Sequence, residues 1–240
     1  MAMSDSRSTD STHPLTILLD VDGTLLDSND AHANAWVDVG REFGHECDYG
    51  SIRSMIGMGG DKLMPKAFGI EHDSKEGKKM SERRSEIFLE RYLPALRPFP
   101  RARDLLLRMQ EDGHSLVVAT SATSKEMKKL LEVAGIGDLL EEATSSSDAK
   151  RSKPDPDIIK AALKKSETEA GDALMLGDTP YDVAASTGAG VSIVALRCGG
   201  WSDDELRGAI ATYADPAELL REYDRSPLST AARSRAGSAR

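Results

Sequence analysis

The sequence is poor in the features that mark secreted and membrane-spanning proteins. Its 240 residues include two cysteines, Cys47 and Cys198. A disulfide framework is therefore excluded; a single Cys47–Cys198 bond stays open, but free thiols are the simpler interpretation. No apolar run approaches the roughly 20 residues of a membrane span, and the polar N-terminal segment has no apolar signal core. We expect a cytoplasmic protein that has no membrane partner.

Basic residues are also outnumbered by acidic residues. The chain has 31 Lys and Arg residues against 40 Asp and Glu residues, which gives a formal net charge of -9. This balance excludes the basic footprint of a general nucleic-acid binder, so we expect no nucleic-acid partner. An anionic substrate would need a local positive feature, such as a metal ion. The length and the 39% of hydrophobic residues suffice for one core, or for a core with a smaller insert.

The C-terminal part of the chain alternates between strand and helix patterns. The strands "SLVVAT", "ALMLGD" and "VSIVAL" are interleaved with helical stretches such as "SKEMKKLLEVAG", "DIIKAALKK" and "PYDVAASTG", and "DPAELLREY" is a final helix. Together with an apolar run at residues 17–19, this rhythm predicts an α/β fold with a doubly wound, parallel, Rossmann-like sheet. In such sheets, ligands bind beyond the carboxyl ends of the strands.

Residues 28–96 have a different pattern, without a predicted strand. A helix is predicted in "NDAHANAWVDVGREFG", then a glycine-rich loop "MIGMGGDKLMPKAFGI", then a long amphipathic helix over about residues 74–92. We therefore predict a helical insert after the first strand. The predicted boundaries are 14–27 and 97–224 for the α/β core and 28–96 for the insert. Residues 1–13 and 225–240 are predicted to be disordered tails.

Two acids follow the first strand in "TILLDVDGTLLDSND". Asp20 and Asp22 are two positions apart and therefore project to the same side. Like charges this close are unfavourable unless they share a cation or a proton. The alternative is structural: Asp22 and Gly23 form a turn, and Asp20 is merely an acid at a strand end.

The string resembles the D-x-D-G-T signature of the haloacid dehalogenase-like phosphohydrolases, and the resemblance extends over about residues 16–223. It implies that Asp20 attacks phosphorus and becomes a phosphoaspartate. It also implies that Asp22 donates a proton to the leaving oxygen and later takes one from water. Gly23 of the same signature is expected at the substrate. The resemblance further implies that the helical insert is a small cap that closes over the site.

Two further motifs resemble the family's phosphoryl-binding elements. In "VVATSA", the resemblance implies that Thr120 and the backbone N–H of Ser121 bind phosphoryl oxygens; the alternative is helix capping. In "RSKPDPDII", Lys153 matches the lysine that offsets phosphoryl charge. The alternative is a surface lysine before a helix capped by Asp155 with Pro156 at its first position, with Lys150 and Arg151 as basic competitors.

The string "LMLGDTPYD" supplies the remaining acids. The resemblance implies that Asp178 binds Mg²⁺ directly, with Asp182 in support through water, and that Asp20 and the Asp22 carbonyl complete the protein ligands. For Asp182 an alternative, compatible role is a capping box with Thr179.

The loop "SMIGMGGDKLMPKAFG" resembles the cap loop of phosphoglycolate-phosphatase-like members. Gly57, Gly59 and Gly60 would then allow close approach to the substrate; the alternative is a plain flexible loop. These resemblances together predict a magnesium-dependent phosphohydrolase. Its expected partner is a small phosphorylated metabolite, phosphoglycolate-like or a sugar phosphate.

Three other activities stay open. A sugar phosphomutase of this superfamily would carry Lys and Arg where Ile56 and Gly60 stand. A phosphonatase would need a Schiff-base lysine where Gly60 stands, unless Lys62 serves in a shifted register. A catalytically silent binding protein is the alternative of a different class. The second acid, Asp22, argues against a dehalogenase.

Overall fold

The computed structural model describes residues 14–229, and in this range the chain forms one parallel sheet of six strands. The strand order is β3-β2-β1-β4-β5-β6, and every neighbouring pair is parallel. The doubly wound α/β prediction is therefore confirmed. The strands are β1 Thr16–Leu19, β2 Ser115–Ala119, β3 Glu142–Thr144, β4 Ala173–Gly177, β5 Ser192–Leu196 and β6 Ala211–Tyr213.

The register sets three strand ends level with each other. Leu19, the last residue of β1, pairs with Val118 of β2 on one side and with Leu176 of β4 on the other. Alternate residues of β1 enter two different apolar clusters, with Ile17 and Leu19 in one and Leu18 in the other. Both faces of the sheet are thus covered, as a parallel sheet requires.

The strands β3 and β6 were missing from the sequence prediction. Each has three residues and lies at an edge of the sheet. A three-residue strand gives no usable periodicity, and both are specified by pairing with a longer neighbour rather than by their own pattern.

Apart from the helices Tyr49–Arg53 and Gly60–Phe68, which were not predicted, the α-helices lie where the periodicity predicts them, with shifts of a few residues at their ends. Gly135 and Gly190, both in the left-handed conformation, end the helices Ser124–Ala134 and Pro180–Ala189. The long charged helix begins after Ser74 and passes into a π-helix at Phe88–Tyr92. The helices are α1 Asn29–Glu42, α2 Tyr49–Arg53, α3 Gly60–Phe68, α4 Lys75–Ile87, α5 Ala102–Glu111, α6 Ser124–Ala134, α7 Asp157–Lys165, α8 Pro180–Ala189 and α9 Pro216–Arg221.

The segment between β1 and α5 is helical, as predicted, and within the described part of the chain it contributes no strand to the sheet. One detail of the prediction was wrong. Much of the glycine-rich segment expected to be a loop is helix α3, which begins at Gly60 and ends at Gly69 in the left-handed conformation. Leu63 and Met64 are fully buried and anchor this helix to the core.

The C-terminal boundary also needs correction. A disordered tail was predicted from residue 225, but the chain packs against the core as far as Ser229. Ser226, Leu228 and Ser229 are fully buried, and the Leu228 carbonyl lies 2.7 Å from Nε2 of His114. The predicted N-terminal tail, residues 1–13, and the rest of the predicted C-terminal tail, residues 230–240, lie outside the described residues.

Two further observations concern helix hydrophobicity and the cysteines. Over residues 14–229, no helix combines the length and apolar character that crossing a membrane requires. Cys47 and Cys198 are both free thiols.

Candidate active site

Three side chains meet where the central strands end. Asp20 directly follows β1, Thr120 directly follows β2, and Asp178 directly follows β4. Backbone hydrogen bonds continue the ladder for one residue: the Asp20 N–H donates to Leu176 and the Thr120 N–H to Thr144. All three side chains are more than nine-tenths buried. The predicted site residues therefore converge at the carboxyl ends of the central strands, where ligands bind in parallel sheets of this kind.

Lys153 reaches this point from the loop before α7. Its Nζ lies 2.6 Å from Oδ1 of Asp20 and 2.7 Å from Oδ1 of Asp182, and the residue is 1% exposed. Although burial lowers its pKa, the two carboxylates raise it above the ordinary lysine value. The ammonium is therefore charged, and the surface-lysine alternative is wrong.

Asp182 has two structural partners. Its Oδ2 accepts hydrogen bonds from the N–H and hydroxyl of Thr179, which completes the capping box at the start of α8. Its other oxygen pairs with Lys153. Asp155 does not cap α7 as predicted: α7 follows Pro156 without a side-chain cap. The carboxylate of Asp155 pairs instead with Lys62 and Arg151.

Asp178 is held by two residues that sequence reasoning did not single out. The Thr24 hydroxyl donates to Oδ1 at 2.8 Å, and the Asn29 amide donates to Oδ2 at 2.9 Å. Gly23 allows this packing, because a Cβ there would overlap the side chains of Asn29 and Asp178. Thr24 belongs to the D-x-D-G-T string, which is its only sequence signal; Asn29 carries none.

The acids form a donor set suited to a hard cation. Oxygen atoms of Asp20, Asp178 and Asp182 lie within 4.8 Å of one another. Burial, together with the neighbouring Asp182 carboxylate, raises the pKa of Asp178 to about 8. Burial likewise raises the pKa of Asp20, with Lys153 opposing this rise. These buried like charges fit a divalent cation, and carboxylate oxygens are the ligands that Mg²⁺ prefers.

Asp22 is hydrogen-bonded to two side chains, one of which contacts a further residue. Its Oδ1 accepts from the Ser28 hydroxyl at 2.5 Å and contacts Nε2 of His32 at 2.8 Å. The other ring nitrogen of His32 meets a guanidinium nitrogen of Arg84. Because Arg84 can only donate, this assigns the ring hydrogen to Nε2, facing Asp22. Burial raises the pKa of Asp22, but His32 and Ser28 bring it below its usual value.

Thr120 and Ser121 lie beside the acids. The Oγ1 of Thr120 accepts from the Ala122 N–H at 3.1 Å, a local turn contact. The Ser121 hydroxyl is buried and has no hydrogen-bond partner among the described residues. Both residues line a cavity together with Asp20 and Asp22. They are placed for the predicted contact with a phosphoryl group, which stays a prediction.

The glycines of the insert approach the core. A Cβ on Gly57 would lie 2.7 Å from Thr179, and one on Gly59 would lie 2.5 Å from Ser152. The Gly59 N–H donates to the Ser152 hydroxyl at 3.1 Å, and Asp61 also hydrogen-bonds Ser152. Gly60 is less crowded, with nearest contacts at 3.5–3.6 Å. Close approach is thus needed toward core residues that flank Lys153 and Asp178; contact with substrate stays a prediction.

A pair of alanine variants should separate these glycines. Gly59→Ala should lower the free energy of unfolding by about 1–3 kcal/mol, because the new methyl group meets the Ser152 side chain. Gly60→Ala should leave it unchanged or raise it slightly, since Gly60 is the first residue of α3 and has room for a methyl group. Urea unfolding of both variants measures the difference. Equal destabilisation of the two variants would contradict the requirement for a glycine at position 59, where the insert contacts Ser152 of the core.

The cavity above the acids has a volume of about 470 Å³. Its wall is built from both parts of the chain. The core contributes Asp20, Asp22, Thr120 and the start of α6, and the insert contributes the loop before α3 and one face of α4. A ligand would therefore be enclosed between the sheet edge and the helical insert.

Comparison with known proteins agrees with this geometry. The sequence profile described as haloacid dehalogenase-like hydrolase matches residues 17–196. The chain belongs to the haloacid dehalogenase-like hydrolase family. The match begins inside β1 and ends with β5, so it contains every strand-end residue described above.

Relatives within this family include phosphatases. A phosphoglycolate phosphatase from Rhodospirillum rubrum is 29% identical over 216 residues, which cover 86% of this chain and 89% of the relative. A phosphoglycolate phosphatase from Pseudomonas fluorescens is also 29% identical, over 78% of this chain and 70% of that protein. The family and these relatives support the prediction of an enzyme of the phosphatase type.

Solved structures of the family share the fold. The crystal structure of a hydrolase from Pseudomonas syringae has a TM-score of 0.81 at 27% identity and covers 88% of this chain and 98% of its own. A β-phosphoglucomutase from Clostridium difficile has a TM-score of 0.78 at 18% identity, with 95% and 100% coverage. The second likeness concerns the fold alone.

Proposed function

We propose that the protein is a magnesium-dependent phosphatase that hydrolyses small-molecule phosphate monoesters through a phosphoaspartate on Asp20. The observation that carries the proposal is the position of Asp20: a buried carboxylate at the end of the central strand, 2.6 Å from the Lys153 ammonium and within the acidic cluster. A buried nucleophile between a fixed cation and further acids is what phosphoryl transfer to a carboxylate requires.

The reaction then has two displacements. In the first, an Asp20 oxygen bonds to phosphorus while the bond from phosphorus to the leaving oxygen breaks. Asp22, which takes up a proton from solvent when the phosphate dianion binds beside it, donates that proton to the leaving oxygen. In the second, Asp22 takes a proton from water, whose oxygen bonds to phosphorus as the Asp20–phosphorus bond breaks. Inorganic phosphate leaves, and both aspartates return to their starting state. Ser28 and His32 orient Asp22.

The acids supply the cation site. Asp20, Asp178 and the Asp22 carbonyl would hold Mg²⁺, which neutralises the incoming phosphoryl charge. Thr24 and Asn29 fix the Asp178 carboxylate. Asp182, whose oxygens already contact Lys153 and the start of α8, supports the cluster through those contacts and through water.

The insert would act as the cap. Its contacts with the core at Ser152 would hold it over the cavity, where it would keep water from the reacting phosphate. Hydrolysis is favoured over the phosphonatase alternative, because the nearest lysine to the expected Schiff-base position, Lys62, is paired with Asp155 at 2.7 Å. The phosphomutase alternative lacks the predicted basic residues, since Ile56 and Gly60 stand at those positions.

The test is phosphate release from p-nitrophenyl phosphate with and without MgCl₂. We expect turnover that requires the metal and is lost on adding EDTA. Asp178→Asn should raise the Mg²⁺ concentration for half-maximal rate by at least about tenfold, because it removes a charged ligand. Asp172→Asn, an exposed acid before β4, is the matched control. Unchanged metal titration of the Asp178 variant would contradict the site.

A further inference from the structure

Arg84 is a buried cation in the cavity wall, on α4 of the insert. It is 8% exposed, and its guanidinium lies over the rings of Trp36 and Phe88, at 5.3 and 5.1 Å from their centroids. It lines the same cavity as Asp20 and Asp22. An arginine in this place is a natural ligand for a carboxylate or phosphate on a leaving group.

The charge of Arg84 is already neutralised. One guanidinium nitrogen contacts both carboxylate oxygens of Glu126, at 2.7 and 2.9 Å. Another nitrogen meets His32. Glu126 is itself 3% exposed; burial raises its pKa, but Arg84 and His32 bring it below the usual value, so the carboxylate is charged. Nε of Arg84 is left as a buried donor without a partner among the described residues.

The rest of the cavity wall does not restore positive charge. Away from the strand ends, its other acids are Asp61, Glu71 and Asp73, while Lys150 is an exposed lysine at the cavity. Glu71 and Asp73 are exposed to solvent, so their charges are partly screened, but the acids still outnumber Lys150 and an anionic leaving group would meet no net positive charge here. Uncharged donors and acceptors are plentiful, as hydroxyls line this region: Ser81, Ser85, Thr123 and Ser146. The volume of about 470 Å³ is also ample for a sugar-sized group.

We propose that Glu126 determines specificity: by neutralising Arg84, it makes the site select phosphate esters of neutral, hydroxylated alcohols, such as sugar phosphates, over esters whose leaving group carries a carboxylate. The inference rests on the proposed phosphatase function. A hydroxyl oxygen can accept a hydrogen bond from Arg84 without a charge of its own. A carboxylate must compete with Glu126 for the same guanidinium and is repelled by it.

The experiment compares kcat/KM for D-glucose 6-phosphate and 2-phosphoglycolate at saturating MgCl₂. The parent enzyme should prefer D-glucose 6-phosphate. Glu126→Gln keeps the shape of the side chain but removes its charge, and should shift the ratio of the two values toward 2-phosphoglycolate by at least about tenfold. Glu126→Asp keeps the charge and should keep the preference of the parent. Glu132→Gln, an exposed acid on the same helix, should leave the ratio unchanged.

Each outcome decides something. A parent that prefers 2-phosphoglycolate would overturn the inference, and this measurement needs no variant to fold. An unchanged ratio in Glu126→Gln would overturn it as well, provided that the circular dichroism spectrum shows a folded protein. The proposed function fails separately: it is wrong if p-nitrophenyl phosphate, whose leaving group has no carboxylate, is not hydrolysed with Mg²⁺.

Discussion

Replacing Asp20 with Asn should abolish turnover while the protein stays folded. The substitution keeps the size of the side chain but removes the charge that attacks phosphorus. We expect kcat/KM for p-nitrophenyl phosphate to fall by about 10⁴-fold or more, which is the usual size of the decrease when a covalent nucleophile is removed. The buried side chain keeps its place at the end of β1, because the Asp20 N–H still donates to Leu176.

The matched control is Asp27→Asn, an exposed acid in the same segment, which should retain the activity of the parent. Mass spectrometry of the Asp20 variant before and after assay excludes deamidation back to aspartate. Incubating the parent with substrate and quenching in acid should also trap a phosphoryl adduct, which the Asp20 variant should lack. Residual turnover within tenfold of the parent would refute the nucleophile assignment.

Much of this site is predictable from sequence because strand ends in a parallel sheet converge. Asp20, Thr120 and Asp178 each follow a recognisable apolar run, and the register places those ends level. The βα rhythm then brings them to one edge without any knowledge of distances. The resemblance to a known signature supplied roles, which the geometry accommodates.

The parts that escaped prediction depend on contacts between distant segments. Asn29 holds Asp178 across 149 positions, and nothing in its neighbours marks it. The role of Gly59 depends on Ser152, 93 positions away. In the sequence, Arg84 and Glu126 each look like an ordinary charged residue of an amphipathic helix. Only the folded structure shows that they form a buried ion pair. Tertiary contacts of this kind leave no local periodicity to detect.

Replacing Lys153 with Met should have a large effect on both activity and stability. The methionine keeps much of the apolar stem but removes the cation between Asp20 and Asp182. Removing one partner of a buried ion pair costs about 3–5 kcal/mol, which for a chain of this size corresponds to a decrease in Tm of roughly 10 °C. The variant also lacks the ammonium group that would stabilise the negative charge developing on the phosphoryl oxygens, so kcat should fall by about 10²–10³-fold.

Magnesium distinguishes this charge effect from a packing defect. In the variant, Asp20, Asp178 and Asp182 lack their fixed counter-ion, so a divalent cation bound among them neutralises more uncompensated charge than in the parent. Adding MgCl₂ should therefore raise the Tm of the Lys153 variant by more than it raises the Tm of the parent. Lys160→Met, an exposed lysine on α7, should show the response of the parent. If Mg²⁺ raised the Tm of all three proteins equally, the Lys153 ammonium would not be compensating the acidic cluster.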